Sequence, residues 1–299
     1  MCDELTAAET SAWLSRMALS RRDFARLGAG AAAIAGLPGC KAAPTIGSNS
    51  AAAAPTLSDT VSIPTPDGEA DALFVRPRSG RHPAVILWPD IAGLRDAYRQ
   101  MGTRLAEAGY AVLVVNQYYR SARAPVMQTI GEYFQPEAQA RMKPMIAAIT
   151  PAGIASDAAA FVGWLDARAE VDTARKVGTA GYCMTGPYTL RTAAAAPARV
   201  GAACSFHGAN MVNDTPDSPH RLIPQIEAAM LIAIAQNDDE KQPEAKAVLR
   251  ETADGAHKKA EIEVYLAQHG WCTPDHPVYD SVQAERAWGR LLATLSAAL

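Results

Sequence analysis

Three residues widely separated in the chain, Cys183, Asp238 and His269, have the types that nucleophilic acyl chemistry requires. A thiolate attacks a carbonyl carbon, an imidazole moves the proton, and a carboxylate fixes the imidazole tautomer and stabilises its charged form. Cys183 lies in Gly181-Tyr182-Cys183-Met184-Thr185-Gly186, between the apolar run Val177–Tyr182 and the alanine-rich stretch Pro187–Ala196. This reads as a strand, a tight corner and a helix, and it matches the nucleophile elbow G-x-S-x-G with a thiol in place of the hydroxyl. Such a corner sets the thiol at a helix N-terminus, where the dipole favours a thiolate. It also points the next amide, Met184 N–H, to where an oxyanion would form. Burial as a structural residue is the commonest fate of a cysteine, and the corner alone leaves both readings open.

The acid and the base each follow an apolar run. Ala229–Ala235 leads into Gln236-Asn237-Asp238-Asp239-Glu240, and Glu261–Leu266 leads into Ala267-Gln268-His269-Gly270. Asp239 is the alternative acid, because one residue of register decides which carboxylate turns inward. Polar turns and His-Gly loops are common in themselves. Three such residues at strand ends, in the order nucleophile, acid, histidine, are a far more specific signal.

The elements that must hold these residues alternate along the chain. Thr60–Ile63 and Ala70–Val75 flank the turn signal Pro66-Asp67-Gly68 and predict an antiparallel hairpin. Further strands are predicted at Ala84–Trp88, Ala111–Val115, Val177–Tyr182, Gly201–Phe206, Ala229–Ala235 and Glu261–Leu266. Helical patterns lie between them at Asp96–Ala108, Ala152–Ala167, Pro187–Ala196, Pro243–Ala253 and Val278–Ala298. Buried strands alternating with amphipathic helices predict an α/β fold, a doubly wound and mostly parallel sheet opened by the hairpin. Ligands of such sheets bind beyond the carboxyl ends of the strands, where all three candidate residues fall. The segment Ala122–Thr150, rich in Met, Gln and Pro, is expected to cover the pocket.

The 299 residues are 20% charged and 49% hydrophobic with a net charge of -3, and no basic run suggests nucleic acid as a partner. Residues 1–40 read as a targeting segment. Ser20-Arg21-Arg22-Asp23-Phe24-Ala25-Arg26 resembles a twin-arginine export signal, and Leu27–Leu37 forms its weakly apolar stretch. Leu37-Pro38-Gly39-Cys40 resembles a lipobox with Cys40 as the lipidated residue, cleavage near Ala51–Ala54 being the alternative. Residues 41–55 read as a flexible tether and 56–299 as one domain. The expectation is an exported, periplasmic monomer that meets a membrane only through a lipid anchor. Without Cys2 and Cys40, the odd set Cys183, Cys204 and Cys272 predicts at least one free thiol rather than a disulfide framework. His269, Cys272 and His276 have spacing that could suit zinc, but His269 is needed as base and a fourth ligand is missing, so no metal is expected.

The chain resembles the dienelactone hydrolase family of α/β-hydrolases. The likeness rests on Gly181-Tyr182-Cys183, Asn237-Asp238, Gln268-His269-Gly270, and the early stretch Ala84–Leu94 with Ala108-Gly109-Tyr110-Ala111-Val112-Leu113. It covers roughly Thr60 to Ala298 and implies a Cys183-His269-Asp238 triad working without a cofactor on a small ester or lactone. It further implies that the amides of Met184 and Ile91 form the oxyanion hole and that Asp90 neighbours and modulates the thiol. Arg120, in Tyr118-Tyr119-Arg120, matches the family's arginine for a substrate carboxylate, with Arg123 as its near alternative. Two departures stand out. Thr273 replaces the family's second arginine, and Thr185 replaces an elbow glycine and is expected to crowd the turn. A neutral or larger ester is therefore expected. The rival readings are a hydrolase-fold binding module that has lost activity and a thiol redox protein using Cys183 and Cys272. His207, after Gly201–Phe206, is expected to be a hydrogen-bonded structural residue.

Overall fold

The alternation of strand and helix becomes one eight-stranded sheet in the computed structural model, which describes residues 55–299. β1 (Thr56–Thr65) and β2 (Gly68–Pro77) pair antiparallel around the Asp67-Gly68 turn. They are followed by β3 (Ala84–Trp88), β4 (Ala111–Val115), β5 (Val177–Tyr182), β6 (Val200–Phe206), β7 (Ala229–Ala235) and β8 (Ala260–Tyr265). The order across the sheet is β1-β2-β4-β3-β5-β6-β7-β8, antiparallel as far as β4 and parallel beyond it. The fold is the doubly wound α/β-hydrolase type, with the expected N-terminal hairpin.

Both faces of the central strands are apolar, because helices cover both. In β3, Ala84, Ile86 and Trp88 face one core, while Val85 and Leu87 face the other. The first core takes Phe161 and Leu165 from α3 (Pro151–Asp166), Leu190 from α4 (Gly186–Ala195) and Leu249 from α6 (Ala245–Gly255). The second takes Leu105 from α1 (Asp96–Glu107) and Leu291 and Leu295 from α7 (Ser281–Ala298). Each fully buried Leu or Ile contributes about 1.5–3 kcal/mol, so this double layer fixes the strand ends on which the site depends.

The chain leaves β3 for β4 on one side and later returns to β5 on the other. The carboxyl end of β3 is therefore a switch point, where the loops after β3 and β5 diverge and leave a crevice.

Three differences from the sequence reading have local causes. The hairpin strands run longer than the predicted cores, because the outer residues of β1 are exposed and carry no burial signal. Helix α7 begins at Ser281 rather than Val278, since the Asp280 carboxylate accepts from the Val282 and Gln283 amides and caps it there. The stretch 122–150 contains a 3₁₀ turn (Ile130–Phe134) and α2 (Pro136–Ala147). The twin-arginine motif, Cys40 and most of the predicted tether lie outside the described residues. Among the described residues, no single helix is long and apolar enough to cross a membrane.

Candidate active site

β5 delivers Cys183 at its carboxyl end with φ of +57°, a left-handed conformation that costs a non-glycine residue about 1–3 kcal/mol. Close packing holds the strained corner. A Cβ on Gly181 would come within 2.3 Å of the Thr185 carbonyl oxygen, and one on Gly186 within 2.4 Å of Gly208 Cα. The expected crowding by Thr185 is corrected: the fully buried residue stitches the corner together. Its Oγ1 accepts from Tyr182 N–H at 3.1 Å and shares its own proton between Trp88 O at 2.9 Å and Tyr182 O at 3.0 Å. Trp88 ends β3, so this hydroxyl ties the elbow to the loop bearing Ile91. The Ala209 amide, from the loop after β6, donates to the Cys183 carbonyl at 3.1 Å.

Asp238 and His269 meet at the neighbouring strand ends. Nδ1 of His269 lies 2.6 Å from Asp238 Oδ2, and the His269 amide donates to Asn237 Oδ1 at 2.8 Å. Asp239 turns away to pair with Lys246 at 2.6 and 2.8 Å. A short helix, α5 (Gln236–Lys241), stands where the sequence reads as a turn, and its geometry selects which carboxylate faces the histidine. His269 is buried, with its ring edge-on to His207 at 4.9 Å between centroids.

His207 differs from its expectation. It is buried with φ of +41°, and neither ring nitrogen has a hydrogen-bond partner among the described residues. Burial, reinforced by the neighbouring His269 and His276, holds its pKa well below the usual histidine value, so the ring stays neutral. His276, also buried, packs edge-on against Phe134. Burial is the main cause that lowers its pKa to about 4.

Two residues that the resemblance brings to the site, Asp90 and Arg120, are held in ion pairs. Asp90, expected to modulate the Cys183 thiol, gives both carboxylate oxygens to Arg95, at 2.7 and 3.0 Å, and accepts the Ala92 amide at 2.9 Å. Arg95 also grips Asp275 through Nε and Nη2, both at 2.8 Å, and Asp275 accepts the Ile130 amide. Burial opposes the Arg95 charge, but the two carboxylates outweigh it and hold the guanidinium protonated. The cluster therefore ties three loops together: the one after β3, the one after β8 and the cover segment. Nothing in the sequence around Arg95 announces this, because its partner Asp275 lies 180 residues away.

Arg120, expected to hold a substrate carboxylate, is engaged by two carboxylates of the protein itself. It bridges Asp67 in the hairpin turn and Asp157 on α3 through four hydrogen bonds of 2.6–2.9 Å. Its fork is filled from both sides, and the carboxylates outweigh burial in holding it charged.

Cys183, only 5% exposed, lies in an apolar cluster with Ile91 and Tyr118 and with Met127, Ile130 and Met142 of the cover segment. Beside it a cleft of about 320 Å³ is lined by Ile91 and Met184, the residues expected to form the oxyanion hole, and by Ile146, Ile149 and Tyr188. Tyr118 donates to the Ile91 carbonyl at 2.8 Å and fixes that loop. Gln117, also buried, donates to the carbonyls of Pro89 and Asp90 at 3.2 and 2.7 Å. Among the described residues, no three His, Cys, Asp or Glu side chains converge as metal ligands. Cys272 forms no disulfide, and burial pushes its thiol well above the usual range, which removes support from a redox pairing with Cys183.

A strained cysteine elbow, a carboxylate–imidazole pair and a crevice at the carboxyl ends of the strands of a doubly wound sheet define the α/β-hydrolase class. Within that class the chain belongs to the dienelactone hydrolase family, whose model matches residues 70–299. A Salmonella typhi protein named as a carboxymethylenebutenolidase is 26% identical over 238 residues, covering 77% of this chain and 84% of the relative. A Bradyrhizobium protein named as a 2-oxo-3-(5-oxofuran-2-ylidene)propanoate lactonase is 26% identical over 245 residues, covering 79% and 93%. In structure, a Klebsiella pneumoniae protein named as a dienelactone hydrolase superposes with a TM-score of 0.70 at 24% identity, covering 81% of this chain and 99% of its own. An Anabaena variabilis dienelactone hydrolase gives 0.58 at 16% identity, covering 82% and 99%.

Proposed function

We propose that the protein hydrolyses an activated ester or a lactone through a covalent acyl-enzyme on Cys183. The observation that carries this reading is the 2.6 Å contact between Asp238 and His269, which follow β7 and β8 of the same parallel sheet whose β5 ends in the strained Cys183 corner. His269 takes the thiol proton, and the sulfur bonds to the substrate carbonyl carbon. The amides of Met184 and Ile91 hold the resulting oxyanion. As the tetrahedral adduct collapses, the alkoxide leaves with the proton from His269. Water, deprotonated by His269, then attacks the thioester and releases the acid with the thiol restored. Asp238 accepts from Nδ1–H of the neutral imidazole, which leaves Nε2 to take and return the proton, and it stabilises the charged form. A thiolate leaves more readily than an alkoxide and far more readily than an amine anion, so this nucleophile favours activated esters, lactones and thioesters over peptides.

Asp90 and Arg95 serve as positioning residues in this scheme, holding the Ile91 loop. The family relatives support a lactone or ester substrate in general terms. The test is a panel of p-nitrophenyl esters and simple lactones assayed under reducing conditions with the parent protein and Cys183→Ser. The reading expects turnover by the parent and a loss of at least about 100-fold in the variant. Turnover unaffected by the substitution would overturn it.

The proposal extends to location: export by the twin-arginine route, with Cys40 carrying lipid. Fractionating cells that express the full chain or Cys40→Ala tests this, with the variant expected to move from the membrane to the soluble periplasmic fraction.

A further inference from the structure

The cleft beside Cys183 has one charged residue among those that line it, Arg191 on α4. Its neighbours there are chiefly apolar, with Ile146, Ile149 and Pro187 in the walls and Asn210 and Asn213 supplying the other polar groups. The Arg191 side chain is 13% exposed, so an anionic ligand that enters the cleft can reach its guanidinium. Protein supplies few acceptors. Nη2 donates to the Asp217 backbone carbonyl at 2.7 Å, and the exposed Asp217 carboxylate stands 3.9 Å off. Nε and Nη1 donate to no protein acceptor among the described residues. Arg95 and Arg120 are each filled by two carboxylates; Arg191 has one carbonyl and a distant, solvated ion pair. Burial lowers the Arg191 pKa, and Asp217 and Tyr188 offset part of that effect.

Position completes the argument. Met184 and Ile91 line the same cleft, so an acyl chain on Cys183 would enter it directly. Arg191 is in the second turn of the helix that starts at Gly186, about 7.5 Å along its axis. Its side chain leans back toward the N-terminal end, over the cleft.

We propose that Arg191 forms an acyl-chain subsite for a terminal carboxylate, making half-esters of dicarboxylic acids preferred substrates. The apolar walls take the methylene chain and the guanidinium takes the acid in a forked pair of hydrogen bonds. This rests on the acyl-enzyme reading above and adds to it the substrate class.

The test compares the p-nitrophenyl half-ester of adipic acid with p-nitrophenyl hexanoate, which has the same chain with a methyl group in place of the acid. The parent protein is expected to favour the half-ester in kcat/KM. Arg191→Gln should lower that preference about 10–100-fold, mainly through KM, and Arg191→Lys should restore part of it. Thermal denaturation of each variant shows whether the fold is kept. A preference for hexanoate in the parent, or a ratio unmoved by Arg191→Gln while both esters turn over, overturns the subsite and leaves the hydrolase reading standing. No turnover of either ester, and no burst of p-nitrophenol, removes that reading and the subsite with it.

Discussion

Two clusters of ionisable groups sit at the same end of the sheet and differ in kind: a guanidinium between two carboxylates, and an imidazole against one. In one, Arg95 is enclosed by Asp90 and Asp275, and every nitrogen of its fork donates to a carboxylate. In the other, a single carboxylate oxygen of Asp238 meets Nδ1 of His269. A saturated cluster has no proton to move and no donor to offer a substrate, so it serves as a rigid tie between loops. In the proposed reaction the imidazole held against Asp238 moves the proton. The arginines divide in the same way, with Arg120 filled by Asp67 and Asp157 and Arg191 bonded to one carbonyl. Carboxylates on both sides mark Arg95 and Arg120 as ties between segments of the scaffold.

The comparison breaks most visibly at the imidazole. His269→Ala should lower kcat/KM by about 10³–10⁴-fold with little change in melting temperature, measured on a p-nitrophenyl ester. Asp238→Asn should cost about 10²–10⁴-fold, whereas Asp239→Asn, which removes only a contact to Lys246, should stay within about 3-fold. Damage confined to the Asp239 variant would contradict the role of Asp238 as the partner of His269.

At the saturated cluster the effect should fall on stability. Arg95→Met strands two carboxylates, one of them buried, and should cost about 3–5 kcal/mol in denaturant unfolding. Activity should fall with it, because the Ile91 loop loses its anchor.

His276 sharpens the comparison through pH. Its folded pKa is about 4 against an ordinary 6.5, so between those values the unfolded chain binds a proton that the folded chain does not. Stability should therefore fall as pH drops from 6.5 to 4, by about 3 kcal/mol from this residue. His207 acts in the same direction. His276→Asn should make the measured slope shallower; an unchanged slope would mean the ring is not buried neutral.

The smallest effect concerns Thr185. Thr185→Val keeps the shape but leaves Tyr182 N–H and the Trp88 carbonyl without their hydroxyl partner, and should cost about 1–3 kcal/mol.

How much of this could be read in advance follows the range of each interaction. The strands of the core and the elbow were legible because hydrophobic runs and a corner of small residues are local features. Asp238 and His269 were legible because each follows an apolar run directly. The choice between Asp238 and Asp239 was not, since a one-turn helix absent from the pattern decides it. Arg120 fitted the resemblance, yet its partners Asp67 and Asp157 lie 53 and 37 residues away. The resemblance sets Asp90 beside the thiol, whereas its carboxylate is taken by Arg95, five residues on. Thr185 could be judged only by its volume, and its hydroxyl proves the useful part. In each case the missing information was the partner, and partners come from tertiary contacts.

The central claim is that Cys183 carries the acyl group. Reduced protein mixed with a slowly deacylating p-nitrophenyl ester, quenched in acid and mapped by mass spectrometry, tests it most directly. The account predicts one acyl group per chain on the peptide containing Cys183, formed at the rate of the p-nitrophenol burst and retained longer in His269→Ala if any forms there. Steady turnover with Cys183 unmodified, or acylation of a different side chain at the burst rate, would contradict it.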